Sequence, residues 1–144
     1  MESIIQEDQT GYGLASIATL AGIGYQDVKT VADQLGIDVQ DPRLWSDTRY
    51  MRTLLAHYGF SASRKTKPFT SWNDLPPLAL LAIKWHKQHD CAFWHWVVFQ
   101  RGLQGPVVFD PKRGLRTHCR TDFGRITPEW FLTVTIPQEK IDQS

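Results

Sequence analysis

"FWHWVVFQRGLQGPVVFDP" (Phe93–Pro111) decides how this chain is built. Aromatic and β-branched residues fill both ends, and "GLQG" (Gly102–Gly105) between them is a turn signal. The stretch reads as a strand over Phe93–Arg101, a tight turn, and an antiparallel strand over Pro106–Asp110. Side chains alternate across a strand, so Phe93, His95, Val97 and Phe99 share one face, and Trp94, Trp96 and Val98 the other. A turn centred between Leu103 and Gln104 sets His95 opposite Lys112 and Asp110 opposite Val97. Asp110 is then a diagonal neighbour of His95. A carboxylate within reach of an imidazole fixes its tautomer and stabilises its charged form. Periodicity alone favours a blander reading of His95, a half-buried core histidine with a backbone partner. Asp110–Pro111 alone reads as a turn opening.

Working outward, "LALLAIKWH" (Leu78–His86) is a continuous apolar run, the mark of a buried strand, and "KQHDCA" (Lys87–Ala92) turns the chain. Downstream, "PKRG" (Pro111–Gly114) is a tight turn, and "RTDFGRI" (Arg120–Ile126) a short helical turn capped by Thr121. "WFLTVTI" (Trp130–Ile136) is the last strand. The first part of the chain has a different period. Leu14, Ile17, Ala18 and Ala21 predict a helix over Gly13–Ala21, stopped by Gly22. Val28, Val31, Ala32 and Leu35 predict a second over Asp27–Leu35, closed by Gly36. A third runs from about Asp47 to Tyr58, with Ser46 as its N-cap and Gly59 beyond it. "FSASRKTKPF" (Phe60–Phe69) between the two halves is extended and polar. Helices first and an antiparallel sheet after them define an α+β domain. No linker or repeat divides the chain, so residues 1–144 form one domain, with a tail from about residue 138 expected to fray.

Composition narrows the function. The 144 residues are 42% hydrophobic, enough for one domain with its own core. Sixteen basic and fifteen acidic residues leave a formal charge of +1, which gives neither a nucleic-acid footprint nor a polybasic membrane signal. The start "MESIIQEDQT" has no basic or long apolar region, and the longest apolar run, "PPLALLAI" (Pro76–Ile83), is far too short to span a bilayer. A soluble cytoplasmic protein with reduced thiols is the expectation. Six Trp in so short a chain is high, and some are expected to line a groove.

Gly11 and Gly13 flank Tyr12 at the start of the first helix. A helix N-terminus lowers the pKa of an acidic nucleophile and offers N–H groups to an oxyanion. A Cys there is a strong nucleophile. The plainer reading is a glycine-rich helix entry in which Tyr12 packs as an aromatic and Gln6 is a polar loop residue. Elsewhere, His86 and His89 lie at a turn with no third ligand in sight, so neither a metal nor any other cofactor is expected. Cys91 precedes His95 by four positions, about 13 Å along a strand at ~3.3 Å per residue, too far to act beside it. Cys119, next to His118, is placed in a loop or edge, and neither Cys is given a catalytic role.

Together these pieces resemble a known family. Gln6, the Gly-x-Gly helix start six positions on, His95 in "FWHWVVF" and Asp110 in "VVFDP" look like the bacteriocin-processing cysteine peptidases. Those are papain-like domains that remove double-glycine leader peptides at the N-terminus of certain ABC exporters. "GLASIATLAG" (Gly13–Gly22) and "LLAIKWH" (Leu80–His86) are similar to the family at the corresponding places, and the resemblance runs from about Ile5 to Val134. It implies a papain-like fold, with the N-terminal helices packed on the sheet. It also implies that Gln6 donates to the oxyanion, His95 is the general base, and Asp110 orients the histidine. Tyr12 stands where the family has its catalytic cysteine, and there the sequence departs.

The departure has a magnitude. A free Cys is a few per cent thiolate at neutral pH, whereas a Tyr of pKa about 10 is ionised in roughly one molecule per thousand at pH ~7. The ring also carries its oxygen several Å past where a sulfur sits, away from a productive attack distance of about 3 Å. The peptidase-like domain of the haemolysin-type exporters likewise has a tyrosine there; it does not cleave, and binds the unfolded transport substrate. The resemblance therefore implies a degenerate domain that binds a peptide or unfolded protein segment, such as a double-glycine leader or a secreted protein, with an ABC exporter as a candidate partner. Two alternatives stand beside it. One is an active or formerly active leader peptidase whose nucleophile has been replaced; the other is a structural domain in which Tyr12 and the Trp-rich strands are only core.

Overall fold

The computed structural model describes residues 1–88 and 90–136, with residue 45 described in its backbone alone. The tail from about residue 138 and the turn residue His89 lie outside the described residues. Three helices come first: α1 (Tyr12–Ala21), α2 (Tyr25–Gln34) and α3 (Arg49–His57). Seven strands follow, β1 (Ser61–Ala62), β2 (Lys67–Pro68), β3 (Leu78–Gln88), β4 (Cys91–Gly102), β5 (Gly105–Phe109), β6 (Cys119–Arg120) and β7 (Pro128–Thr135). They form one antiparallel sheet in the order β1-β7-β3-β4-β5-β6, with β2 also pairing β7. The helices pack on this sheet, which is the expected α+β arrangement.

The turn at Leu103–Gln104 sets the register as expected. Gly102 pairs with Gly105 and Val98 with Phe109. Gly105 takes φ +96°, left-handed backbone that a glycine adopts at no steric cost.

β3 is apolar throughout its first half because the sheet is covered on both faces. Leu78, Leu80 and Ala82 join Trp94, Trp96, Val98 and Leu132 under the helices, against Leu14, Ile17, Met51 and Leu54. Ala79, Leu81 and Ile83 join Val97, Phe99 and Phe131 in a second core on the opposite face. That core is closed by Leu75, Trp72, Phe123 and Ile126, which belong to connecting segments. Arg101 fastens one of these segments, donating to the carbonyls of Leu75 and Trp72, both at 2.9 Å, with its guanidinium over the Phe99 ring. Three of the six Trp are structural: Trp94, Trp96 and Trp130 meet edge to face, with centroids 4.9 to 5.8 Å apart.

Two expected caps are corrected. α3 starts at Arg49, and the Asp47 carboxylate rather than Ser46 accepts the Arg49 N–H, at 2.8 Å. An ionised carboxylate is the stronger acceptor. Ser46 is drawn instead into a 3-10 turn, Pro42–Ser46, capped by Asp41. The turn at Phe123–Arg125 has Asp122, not Thr121, at its N-cap, and no side chain bonds there. The Asp122 carboxylate is taken by Arg120 at 2.8 and 2.9 Å.

Candidate functional site

The Gly-x-Gly start of α1 is a packing requirement. A Cβ at Gly11 would run into the Tyr25 hydroxyl and the Asp8 carbonyl, and one at Gly13 into the Tyr50 hydroxyl and Met51 sulfur. Two buried tyrosines therefore seat the helix entry. Tyr25 Oη also donates to Asp8 Oδ2 at 2.7 Å, and Lys29 pairs with the same carboxylate at 3.2 Å. This holds the segment before α1 against α2.

β5 pairs with β4 only as far as Val98–Phe109. Where it leaves, α1 comes against β4, and Ser16 Oγ donates to the Trp96 carbonyl at 3.4 Å. The N-terminal segment closes on the exit of β5 through Gln6 N–H to Pro111 O, at 3.0 Å. Tyr12 and His95 meet at this junction. Their rings are stacked, centroids 4.0 Å apart and planes 19° apart. With Gln6, Gln9, Lys112 and Arg113 they line a cleft of about 340 Å³.

Asp110 lies behind the cleft, 1% exposed. Its carboxylate accepts from Arg120 Nη1 and from the Lys112 N–H, each at 3.0 Å. Its backbone N–H donates to His118 O, and His118 Nδ1 lies 2.8 Å from its carbonyl. The expected register thus brings Asp110 near His95 and Tyr12, and its charge acts on both. Its hydrogen bonds, however, go to Arg120 and Lys112, and His95 Nδ1 is buried without a partner among the described residues.

The electrostatics follow. Burial, then the charges of Lys84 and Lys112, push His95 down to about 4 against the pull of Asp110. The imidazole is neutral at pH 7. Burial and Asp110 push the Tyr12 phenol up to about 12. The phenol therefore holds its proton far more tightly than the imidazole can take it. Gln6, 4% exposed, donates Nε2 to the carbonyls of Asp8 at 3.0 Å and Gln9 at 3.2 Å. The donor that would serve an oxyanion is turned to its own loop, and its Oε1 is left buried without a partner among the described residues.

Cys91 and Cys119 are exposed free thiols. His86 stacks on Phe93, and its Nδ1 lies 3.0 Å from Lys84 O. Among the described residues no group of three His, Cys, Asp or Glu could hold a metal ion. No described helix is long and apolar enough to cross a membrane. Sequence reasoning missed Arg120 and Lys84. The only signal for Lys84 was a charge that interrupts an apolar strand.

Helices on a seven-stranded antiparallel sheet, with a cleft between the start of α1 and β4, define a papain-like cysteine-peptidase fold. A solved structure with this fold is that of a double glycine motif protease from an AMS/PCAT transporter, in complex with the leader peptide. The two superpose with a TM-score of 0.55 over 92% of this chain and 89% of that one, at 18% sequence identity. No family model and no curated protein matches the chain.

Proposed function

We propose that this chain is a degenerate cysteine-peptidase-like domain that binds a peptide or unfolded protein segment in the old substrate cleft without cleaving it. The observation that carries this is the Tyr12 ring, stacked on His95 where the papain-like arrangement has its nucleophile. Its phenol, pushed up to about 12, faces an imidazole pushed down to about 4, a base too weak to take the proton, so no nucleophile is generated. The Gln6 donor directed at Asp8 and Gln9 supports the same reading. The bound leader peptide of the similar protease makes an extended peptide the natural class of ligand. A double-glycine leader or a secreted protein is the candidate occupant, an ABC exporter the candidate partner, and the cytoplasm the candidate compartment.

The test is incubation with synthetic double-glycine leader peptides, followed by mass spectrometry and calorimetry. Binding without cleavage is expected. Cleavage that His95→Ala abolishes would sink the proposal.

The second reading, an enzyme that has lost its nucleophile in this chain, has one observation in its favour. Gln6, Tyr12 and His95 do line a single cleft. It is separated from the first by restoring a thiol at position 12, as argued in the Discussion.

A further inference from the structure

A larger recess of about 820 Å³ opens from the middle of β3 (Ile83, Lys84, Trp85) to the segment around β6 and the entry to β7. Its ionised residues are Lys84, Arg116, Arg120 and Arg125 against Asp122 and Glu129. Arg120 is occupied by Asp110 and Asp122. Arg116 and Arg125 are exposed, and neither side chain forms an ion pair among the described residues.

Lys84 is the notable wall. It sits where the β3–β4 register shifts and takes φ +54°, a left-handed conformation unfavourable for a non-glycine residue. Its ammonium is set against that of Lys112, and burial together with this neighbour lowers its affinity for a proton. Lys84 faces the recess, whereas Lys112 lines the Tyr12–His95 cleft. The two cavities adjoin: Ile83 of the recess pairs with His95 of the cleft across β3 and β4, and Asp110 accepts from Arg120 of the recess and from the N–H of Lys112 of the cleft. Four of the six ionised groups of the recess are cationic, and Lys84, Arg116 and Arg125 form no ion pair among the described residues, which suits an anionic ligand.

We propose that cleft and recess form one track for an extended acidic peptide segment, its carboxylates meeting Lys84, Lys112, Arg116 and Arg125. This rests on the peptide-binding reading above and names the class of peptide. Glu129 on the wall offers an acceptor to the N–H groups of a polypeptide, which a phosphate backbone lacks. Trp85 gives an apolar surface for the residues between the charges.

Fluorescence anisotropy tests it with the full chain and three labelled probes: a peptide alternating Glu and Gly, the same peptide with Gln for Glu, and a single-stranded oligothymidylate. The Glu peptide is expected to bind about tenfold tighter than the Gln peptide at low salt, with the difference shrinking as salt is added. Reversing Arg116→Glu and Arg125→Glu together, both exposed, should remove that advantage. Equal affinity for the two peptides, or an unaltered advantage in the reversed variant, overturns the acidic preference and leaves the peptide-binding reading standing. An oligothymidylate that binds as tightly as the Glu peptide also overturns it. Binding of neither peptide overturns both.

Discussion

The Tyr12 ring lies flat on the His95 imidazole, 4.0 Å between centroids. The contact covers one face of the imidazole, and its consequences are measurable.

The first concerns the proton. His95 should titrate with a midpoint of about 4 by NMR, well below the ordinary histidine value of about 6.5. Because the folded pKa lies below the unfolded one, the neutral ring contributes stability that is fully present above about pH 6.5. That contribution is lost as pH falls towards about 4. Urea midpoints at pH 7 and pH 5 should therefore differ more for the native chain than for His95→Gln. Tyr12→Ala, which uncovers the ring, should move the midpoint back towards 6.5; an unmoved midpoint would mean the stack is not what buries the imidazole.

The second concerns the vacant chemistry. Tyr12→Cys places a thiol beside a histidine that is neutral and has no carboxylate partner. Iodoacetamide should alkylate it no faster than Cys91 or Cys119, followed by peptide mass spectrometry. A rate about tenfold above theirs would mean that His95 and Asp110 are still poised, and would favour the former-enzyme reading.

The third concerns Asp110 and Arg120. Their side chains are 2% and 15% exposed, and the pair is closed at 3.0 Å. Arg120→Met leaves a carboxylate buried with, among the described residues, one hydrogen bond, from the Lys112 N–H. Breaking a buried pair from one side costs roughly 3 kcal/mol or more, so a clear drop in the urea midpoint is expected. Asp110→Asn, which keeps the shape and removes the charge, should cost less. Equal losses would show that the charge is not what matters.

The fourth concerns the helix entry. Gly13→Ala in a helix interior would ordinarily gain up to about 1 kcal/mol. Here the added methyl strikes Tyr50 and Met51, and overpacking costs typically 1–3 kcal/mol. Net destabilisation is expected. Tyr50→Phe, which removes the struck hydroxyl, should recover part of it in the double variant. A stabilised Gly13→Ala would show that the packing there is slack.

Much of the fold could be read from local pattern. Helical periodicity placed α1 to α3 within a few residues, and alternation split β4 correctly between two cores. The two-residue turn at Leu103–Gln104 fixed the register that brings Asp110 towards His95. What escaped the reading was set by partners remote in sequence. The glycines beside Tyr12, legible either as chemistry or as a plain helix entry, are packed against Tyr25 and Tyr50, which no local pattern names. Strand register places Asp110 near His95, but only the β5–β6 pairing shows the guanidinium ten residues on that takes its carboxylate. The caps of α3 and of the Phe123–Arg125 turn failed for a related reason. Ser46 and Thr121 fit their positions, and a neighbouring carboxylate outcompetes the one while nothing caps the other.

The bond from Gln6 to Pro111 joins residues about a hundred positions apart in the chain. Half of the cleft comes from Gln6, Gln9 and Tyr12 and the other half from His95, Lys112 and Arg113, and the two are not brought together until β4 and β5 have paired. Contacts this distant close late, because loop entropy must be met before they return anything. Occupancy of the cleft is therefore a readout of completed folding. A chain arrested before the hairpin forms would carry Gln6 and Tyr12 intact and have nowhere to bind.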